Sequence, residues 1–290
     1  MNFLDIVNFY LVPGVVQGSV YALGAIGVTL VYAIMRHGHF AHGDMATMGA
    51  FVALFIVTSL GLPIYVALPL AILISGAVAV GVDRVFYAHL RSRPMIITTI
   101  ASLGIALMLR SIVQMVWGVD TESYSTGITK PQNWFGIRIK SYEIITLFVA
   151  FGLVVALQLF LTRSKWGKAM RAMSDNPDLA LLSGIDNRKV VTLTWMIVGG
   201  LCAASGFFLG LNTEVKSMMG WNILLPTFAA AILGGVGRIE GAILGGLMVG
   251  IAEEMSVMAI PPEYKILCPF VILLGVLLLR PTGIFHGKLL

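Results

Sequence analysis

Charge is the scarcest resource of this chain. Only 11% of its residues are Asp, Glu, Lys or Arg, against about 25% in a soluble domain. With 58% of residues hydrophobic and a mean hydropathy of +0.92, the chain cannot clothe itself in polar surface. Cysteine is nearly absent too. Cys202 and Cys268 both lie inside apolar runs, which excludes a disulfide framework and offers no metal-ligand spacing. The N-terminal stretch lacks the basic start and small-residue cleavage site of a signal peptide, so the first apolar run is expected to be retained.

Catalytic constellations are missing as well. No Gly-x-Ser-x-Gly elbow occurs, and His37, His39 and His42 cluster at one place, which suits no Ser-His dyad. Their spacing with Asp44 does not match the two-His helical zinc motif. They read better as polar residues at an interrupted helix. There Gly38 and Gly43 let the backbone turn, and Asp44 meets the positive end of the following helix. Gly234–Gly250 is dense in glycine but lacks the Gly-Lys-Ser/Thr ending of a phosphate loop. Its Gly241-x-x-x-Gly245 and Gly246-x-x-x-Gly250 spacings read as ridges for close helix packing, with Arg238 and Glu240 placed to pair across the turn. Ionisable residues inside the apolar runs are few. Arg110 stands near a helix end where it can snorkel, Asp83 and Arg84 near another, Glu253 and Glu254 near a third. None sits at a midplane, which counts against a proton- or sodium-driven carrier.

What the chain does have is a succession of apolar runs of roughly 17–25 residues, the length that crosses a bilayer as helix. They predict one all-α polytopic domain over residues 1–290, with about 8–9 membrane segments. Two of these, about Met45–Leu60 and Ile223–Val236, are short and flank polar breaks. The resulting helix-break and pore candidates are His42, Gly43, Asp44, Gly234, Gly235 and Gly237. The pairing of short segments suggests two related halves. Two long polar loops are expected, at 117–142 and 163–189.

The 163–189 loop, Arg163–Lys189, carries six basic residues. Placing it in the cytoplasm puts thirteen of the 19 Lys and Arg inside and five outside, with Arg110 in a span. This satisfies the positive-inside rule and predicts an external N-terminus, an external 117–142 loop and a cytoplasmic C-terminus. The net charge of +5 then reflects topology, with no nucleic-acid partner implied. Within the loop, Asn176-Pro177-Asp178 can start a short helix and Gly184 can end it. That would leave Ala180, Leu181 and Leu182 available to a partner groove.

Asp178-Leu179-Ala180-x-x-x-Gly184 resembles the Glu-Ala-Ala-x3-Gly coupling motif of bacterial ABC importer permeases, with Asp for Glu and Leu for the first Ala. Four further stretches are similar to the branched-chain amino-acid permease subunit, in the same order. They are Ser19–Leu23, Phe40–Asp44, Ala230–Arg238 with Gly241-Ala242, and Arg280–Ile284. Departures are Asp44, where the family more often has Glu, and Arg238, where it commonly has Ser. The resemblance implies the ABC importer permease fold in a bacterial inner (cytoplasmic) membrane. It implies a non-catalytic subunit that binds no cofactor, while ATP and Mg are used by two cytoplasmic ATPases. These would dock on Asp175, Asn176, Asp178, Leu179, Ala180, Leu181, Leu182, Gly184 and Ile185. A second permease subunit, different or identical, would complete the pore, and an extracytoplasmic binding protein would deliver leucine, isoleucine or valine. A same-family permease for urea, amides or other amino acids remains an alternative, and an ion-coupled secondary transporter a more distant one. A reporter fused after Leu290 is expected to be active only in the cytoplasm; activity confined to the outside would reverse this topology.

Overall fold

The computed structural model describes residues 2–124, 130–134, 136–285 and 287. Leu290, where the reporter is fused, and residues 125–129 of the expected 117–142 loop lie outside them. Six helices are long and apolar enough to cross a membrane: α1 (Phe3–Met35), α3 (Ile64–Leu90), α4 (Met95–Trp117), α5 (Ser141–Arg163), α8 (Asn187–Asn212) and the closing Pro262–Leu279 stretch, whose regular part is α11 (Leu267–Leu279). Between them stand two shorter apolar helices, α2 (His42–Thr58) and α9 (Met219–Gly234), together with α10 (Ile239–Ser256). The 163–189 stretch holds two more, α6 (Lys165–Asp175) and α7 (Pro177–Leu182). The polytopic all-helical architecture is thus the one expected. A small antiparallel hairpin, β1 (Gln132–Trp134) with β2 (Ile137–Ile139), adds local structure to the 117–142 loop.

The helix starts have local reasons. Pro63, Pro94 and Ser164 precede α3, α4 and α6 in extended conformation, and the Ser164 hydroxyl accepts from the Gly167 N–H. Pro13 lies in the first turns of α1 after a widened π turn over Val7–Leu11; a proline ring displaces the carbonyl four residues earlier, here Phe9. Arg36 ends the regular part of α1 in the left-handed region, φ 56°.

Burial sorts the helices in a way hydropathy does not. The most apolar windows of α1 and α8 are 83% and 78% buried with mean hydropathy 1.7 each, whereas that of α5 is 22% buried with mean hydropathy 2.7. Lipid is as apolar as leucine, so apolar surface gains nothing by leaving it; close packing through small residues decides which helix goes inside. α1 and α8 carry that composition, with Gly14, Gly18, Gly24 and Gly27 on one and Gly199, Gly200, Gly206 and Gly210 on the other. The exposed side chains of α3, α4, α5 and α11, such as Leu73, Leu107, Phe148 and Leu278, face outward as lipid contacts.

The predicted glycine ridges do pack, and α10 uses two different faces for two neighbours. Gly246 and Gly250 lie against the backbone of Ala22 and Gly18 on α1, while Gly241 and Gly245 lie against Gly234 and Ala230 on α9. A Cβ at Gly18 would stand 2.8 Å from the Leu247 Cα, closer than carbon atoms approach. Gly18→Leu is expected to cost about 1–3 kcal/mol or more, the range for overpacking a filled interior. At Gly81 an added methyl group would meet nothing within 4 Å, so Ala should be tolerated there at no cost. Thermal unfolding of the two variants in detergent micelles checks this; equal midpoints would remove the backbone-contact account.

Candidate functional site

The 163–189 stretch is more ordered than a polar loop. α6 is amphipathic, burying Gly167, Met170 and Met173, and Gly167 sits against the backbone of Leu161 at the end of α5. Asn176 follows directly. Its side-chain oxygen accepts from the N–H groups of Asp178 at 3.0 Å and Leu179 at 3.1 Å, an N-cap that starts α7. The end of α7 is equally defined. Gly184 N–H donates to Leu181 C=O and Ile185 N–H to Ala180 C=O, each at 3.0 Å, with Gly184 at φ 83°. This is a Schellman ending, which demands a left-handed residue at Gly184. Asp186 then caps α8, accepting from Lys189 N–H and Arg188 N–H; these donors, Lys189 first, hold its carboxyl below the ordinary carboxylate range.

One expectation for this turn needs correction. Ala180 is buried within the chain rather than available at the surface, and is the foot on which α7 rests against the bundle. The outward surface is Leu179, Leu181 and Leu182, the last 84% exposed. Ile185 is half-buried, and Asp175, Asp178 and Gly184 are near the surface or in contact with solvent.

The second group of sequence candidates lies where α2 begins. His42, Gly43 and Asp44 are all buried. Gly43 and Gly220 touch backbone to backbone, so the first turns of α2 and α9 cross there. The Thr47 hydroxyl accepts from the Gly220 N–H at 2.9 Å. The two short helices read as separate interruptions therefore meet at their N-terminal ends. His42 packs on Gly27, and its Nδ1 is 3.3 Å from Cys202 Sγ. Beside it, His39, Tyr87 and Trp195 form an aromatic cluster, with Tyr87 stacked on Trp195 at 5.0 Å between centroids. Among the described residues no three His, Cys, Asp or Glu side chains converge in a metal-binding group.

Asp44 does not simply meet a helix end, and Arg110 does not snorkel. Arg110 Nε and Nη2 donate to the two carboxylate oxygens of Asp44 at 2.9 and 3.0 Å, and the guanidinium lies 5.0 Å from the Trp221 ring centre. This fork-to-fork pair ties α2 to α4 and brings in α9. An ion pair therefore does occupy the interior of the bundle, contrary to the expectation from sequence. With both charges compensated, it has the form of a structural tie. A second buried carboxylate, Glu253, accepts from the Tyr21 hydroxyl at 2.7 Å. Glu240 takes Gln158 Nε2 at 2.8 Å in place of the expected Arg238 pairing.

The remaining pore candidates, Gly234, Gly235 and Gly237, form the exit of α9. Ile284 and Phe285 donate N–H groups to the carbonyls of Leu233 and Gly234, so the Arg280–Ile284 stretch caps α9. Gly235 and Gly283 are in close contact and both have positive φ, 100° and 71°. Two cavities flank the bundle at opposite ends of α1. One, about 550 Å³, is lined by Gln17, Tyr21, Glu143, Asn212, Glu254 and Lys265 among others. The other, about 510 Å³, lies between α6 and the bundle. Neither the Asp44–Arg110 pair nor these cavities had a signal in the sequence beyond the isolated presence of charge in an apolar run. Arg110→Met is expected to cost about 3–5 kcal/mol by leaving Asp44 buried and unpaired. The double variant Asp44→Asn with Arg110→Met should recover a large part of that. Unfolding midpoints in detergent test it, and additive losses would overturn the pairing.

Comparison with known proteins places this geometry. Residues 10–277 match the family described as branched-chain amino acid transport system, permease component. The chain is 33% identical to the high-affinity branched-chain amino acid transport system permease protein BraD of Pseudomonas aeruginosa, over 94% of each chain. It is also 33% identical to the corresponding protein LivH of Escherichia coli K12, over 93% of this chain and 92% of that one. Among solved structures, PsaBC from Streptococcus pneumoniae in complex with Fab superposes with a TM-score of 0.52 at 12% identity, covering 97% of this chain and 96% of that one, and so shares the fold. With its capped turn at 176–185 and its glycine-packed multi-pass bundle, the chain belongs to the family of permease components of branched-chain amino acid transport systems.

Proposed function

We propose that this chain is the membrane subunit of an ATP-driven importer, forming with a second permease subunit the path for leucine, isoleucine and valine. An extracytoplasmic binding protein delivers the solute. Two cytoplasmic ATPases, which use ATP and Mg, drive the cycle, and this chain itself hydrolyses nothing. The N-terminus is external and the 163–189 stretch cytoplasmic. The family membership and the named relatives support the substrate; the coupling role rests on the α7 turn.

That turn carries the reading. A six-residue helix cannot hold its shape alone in water. Here the Asn176 cap, the Gly184 ending and the buried Ala180 fix it, yet its three leucines, Leu179, Leu181 and Leu182, all point outward. A rigid apolar knob at a polar surface is suited to insertion in a partner groove. α6 is joined to it through Asn176 alone, so a push on α7 is passed to α6 and on to the end of α5.

Leu182→Asp should insert in the membrane and unfold like the parent, yet lose ATPase association by at least about tenfold, or ~1.4 kcal/mol. Gly184→Val should do the same by straining the left-handed ending. Co-purification of the ATPases with tagged variants measures both. Full association and full uptake in both variants would rule out coupling through α7. Ala180→Glu is a poor probe, since it buries a charge and unseats the turn.

A further inference from the structure

The cavity between α6 and the bundle has a lining that coupling alone does not require. Its volume, about 510 Å³, falls within the roughly 300–1,000 Å³ of small-molecule sites. Its apolar wall includes Leu30, Ile34, Leu161 and Met170. Two arginines at its open side also line it, Arg171 from α6 and Arg238 from the turn before α10, both exposed. Neither makes an ion pair or side-chain hydrogen bond among the described residues. Carboxylates are present as well: Asp175, and Glu240 steadied by Gln158 at 2.8 Å.

These features select a ligand chemistry. Two arginines that make no ion pair among the described residues favour a planar carboxylate, which they can grip through paired N–H donors. The Glu240 carboxylate favours an ammonium group. The aliphatic wall favours a short hydrocarbon side chain. An inorganic anion would use the arginines and leave the other two features unused. We propose that this cavity binds a free aliphatic amino acid as the zwitterion, its carboxylate on Arg171 and Arg238 and its ammonium toward Glu240. A molecule held this way links α6 to the bundle. Because α7 follows α6 after one residue, occupancy restrains the coupling turn, and imported product slows its own import. The inference rests on the permease reading above and adds to it a second, product-side site.

The test uses the complete importer in proteoliposomes, with ATP in the lumen and binding protein and radiolabelled leucine outside. The initial uptake rate is followed as unlabelled leucine in the lumen is raised, each protein being referred to its own rate with an amino-acid-free lumen. Luminal leucine should lower the wild-type rate by at least about fivefold, the lower end of usual coupling between sites. Leucinamide, lacking the carboxylate, and 4-methylpentanoate, lacking the ammonium, should be inert at the same concentration. Arg238→Gln and Glu240→Gln should each need at least about tenfold more luminal leucine for the same effect; the second variant decides the matter if the first does not assemble. Uptake indifferent to luminal leucine overturns the proposal while leaving the permease reading intact. So does unchanged sensitivity in the variants, or equal inhibition by luminal phosphate, which would mark an anion site only. Absence of leucine uptake by the wild type under every condition overturns the permease reading and this proposal with it.

Discussion

Helix association in a bilayer has no help from water exclusion, so it depends on how closely backbones can approach. In this chain that approach is made at glycine. α1 touches α10 at Gly14, Gly18 and Ala22 against Gly250 and Gly246; α9 touches α10 at Gly234 against Gly241; α2 touches α9 at Gly43 against Gly220. Each contact puts main chain against main chain with no side chain between. The rest follows from that block. The longer-side-chained helices α4, α5 and α11 are left to the lipid, the α2–α9 crossing fixes where Asp44 meets Arg110, and the end of α9 must be closed by the Arg280–Ile284 stretch.

Much of this architecture could be read from the sequence because membrane helices announce themselves by length and hydropathy. The two short segments shifted by only a few residues, to His42–Thr58 and Met219–Gly234, and other helices begin at caps such as Asp186 and at prolines such as Pro63 and Pro94 that do not depend on distant contacts. The α7 turn was legible for the same reason: Asn176, Pro177 and Gly184 act locally. α6 went unread as a helix although Gly167, Met170 and Met173 repeat at helical spacing; its many basic residues hid a buried stripe. The relations between segments were beyond reach. Asp44 and Arg110 are 66 positions apart, and nothing in either stretch names the other. The burial of Ala180 was likewise invisible, because a small residue in a polar loop reads the same whether it faces solvent or a neighbouring helix. The family resemblance, by contrast, rested on short motifs, and the structure gives two of them a shared reason: the Gly234–Arg238 and Arg280–Ile284 stretches form one capping unit.

The two polar regions of the bundle have different characters. Around α2, charge is neutralised within the chain, as Asp44 with Arg110; between α1 and α10 the Glu253 carboxylate accepts a hydrogen bond from Tyr21. Around α6, Arg171 and Arg238 line open space together with Asp175 and Glu240, and neither arginine makes an ion pair among the described residues. Buried polar groups that satisfy one another stiffen a structure, whereas groups left toward a cavity suit a visitor. The division places the satisfied polar groups in the interior and the open ones beside the α6–α7 stretch for which coupling is proposed.

Backbone-on-backbone contact has a kinematic consequence. Two helices separated by side chains can adjust by rotating those side chains, but glycine seams have nothing to rotate. Sliding α10 by even one residue along α1 would drive Leu247 or Ile251 into positions that now admit only hydrogen. α1, α9 and α10 are therefore geared together and can travel only as a single solid. Whatever opening and closing this protein undergoes has to be hinged where side chains intervene, at the lipid-facing helices.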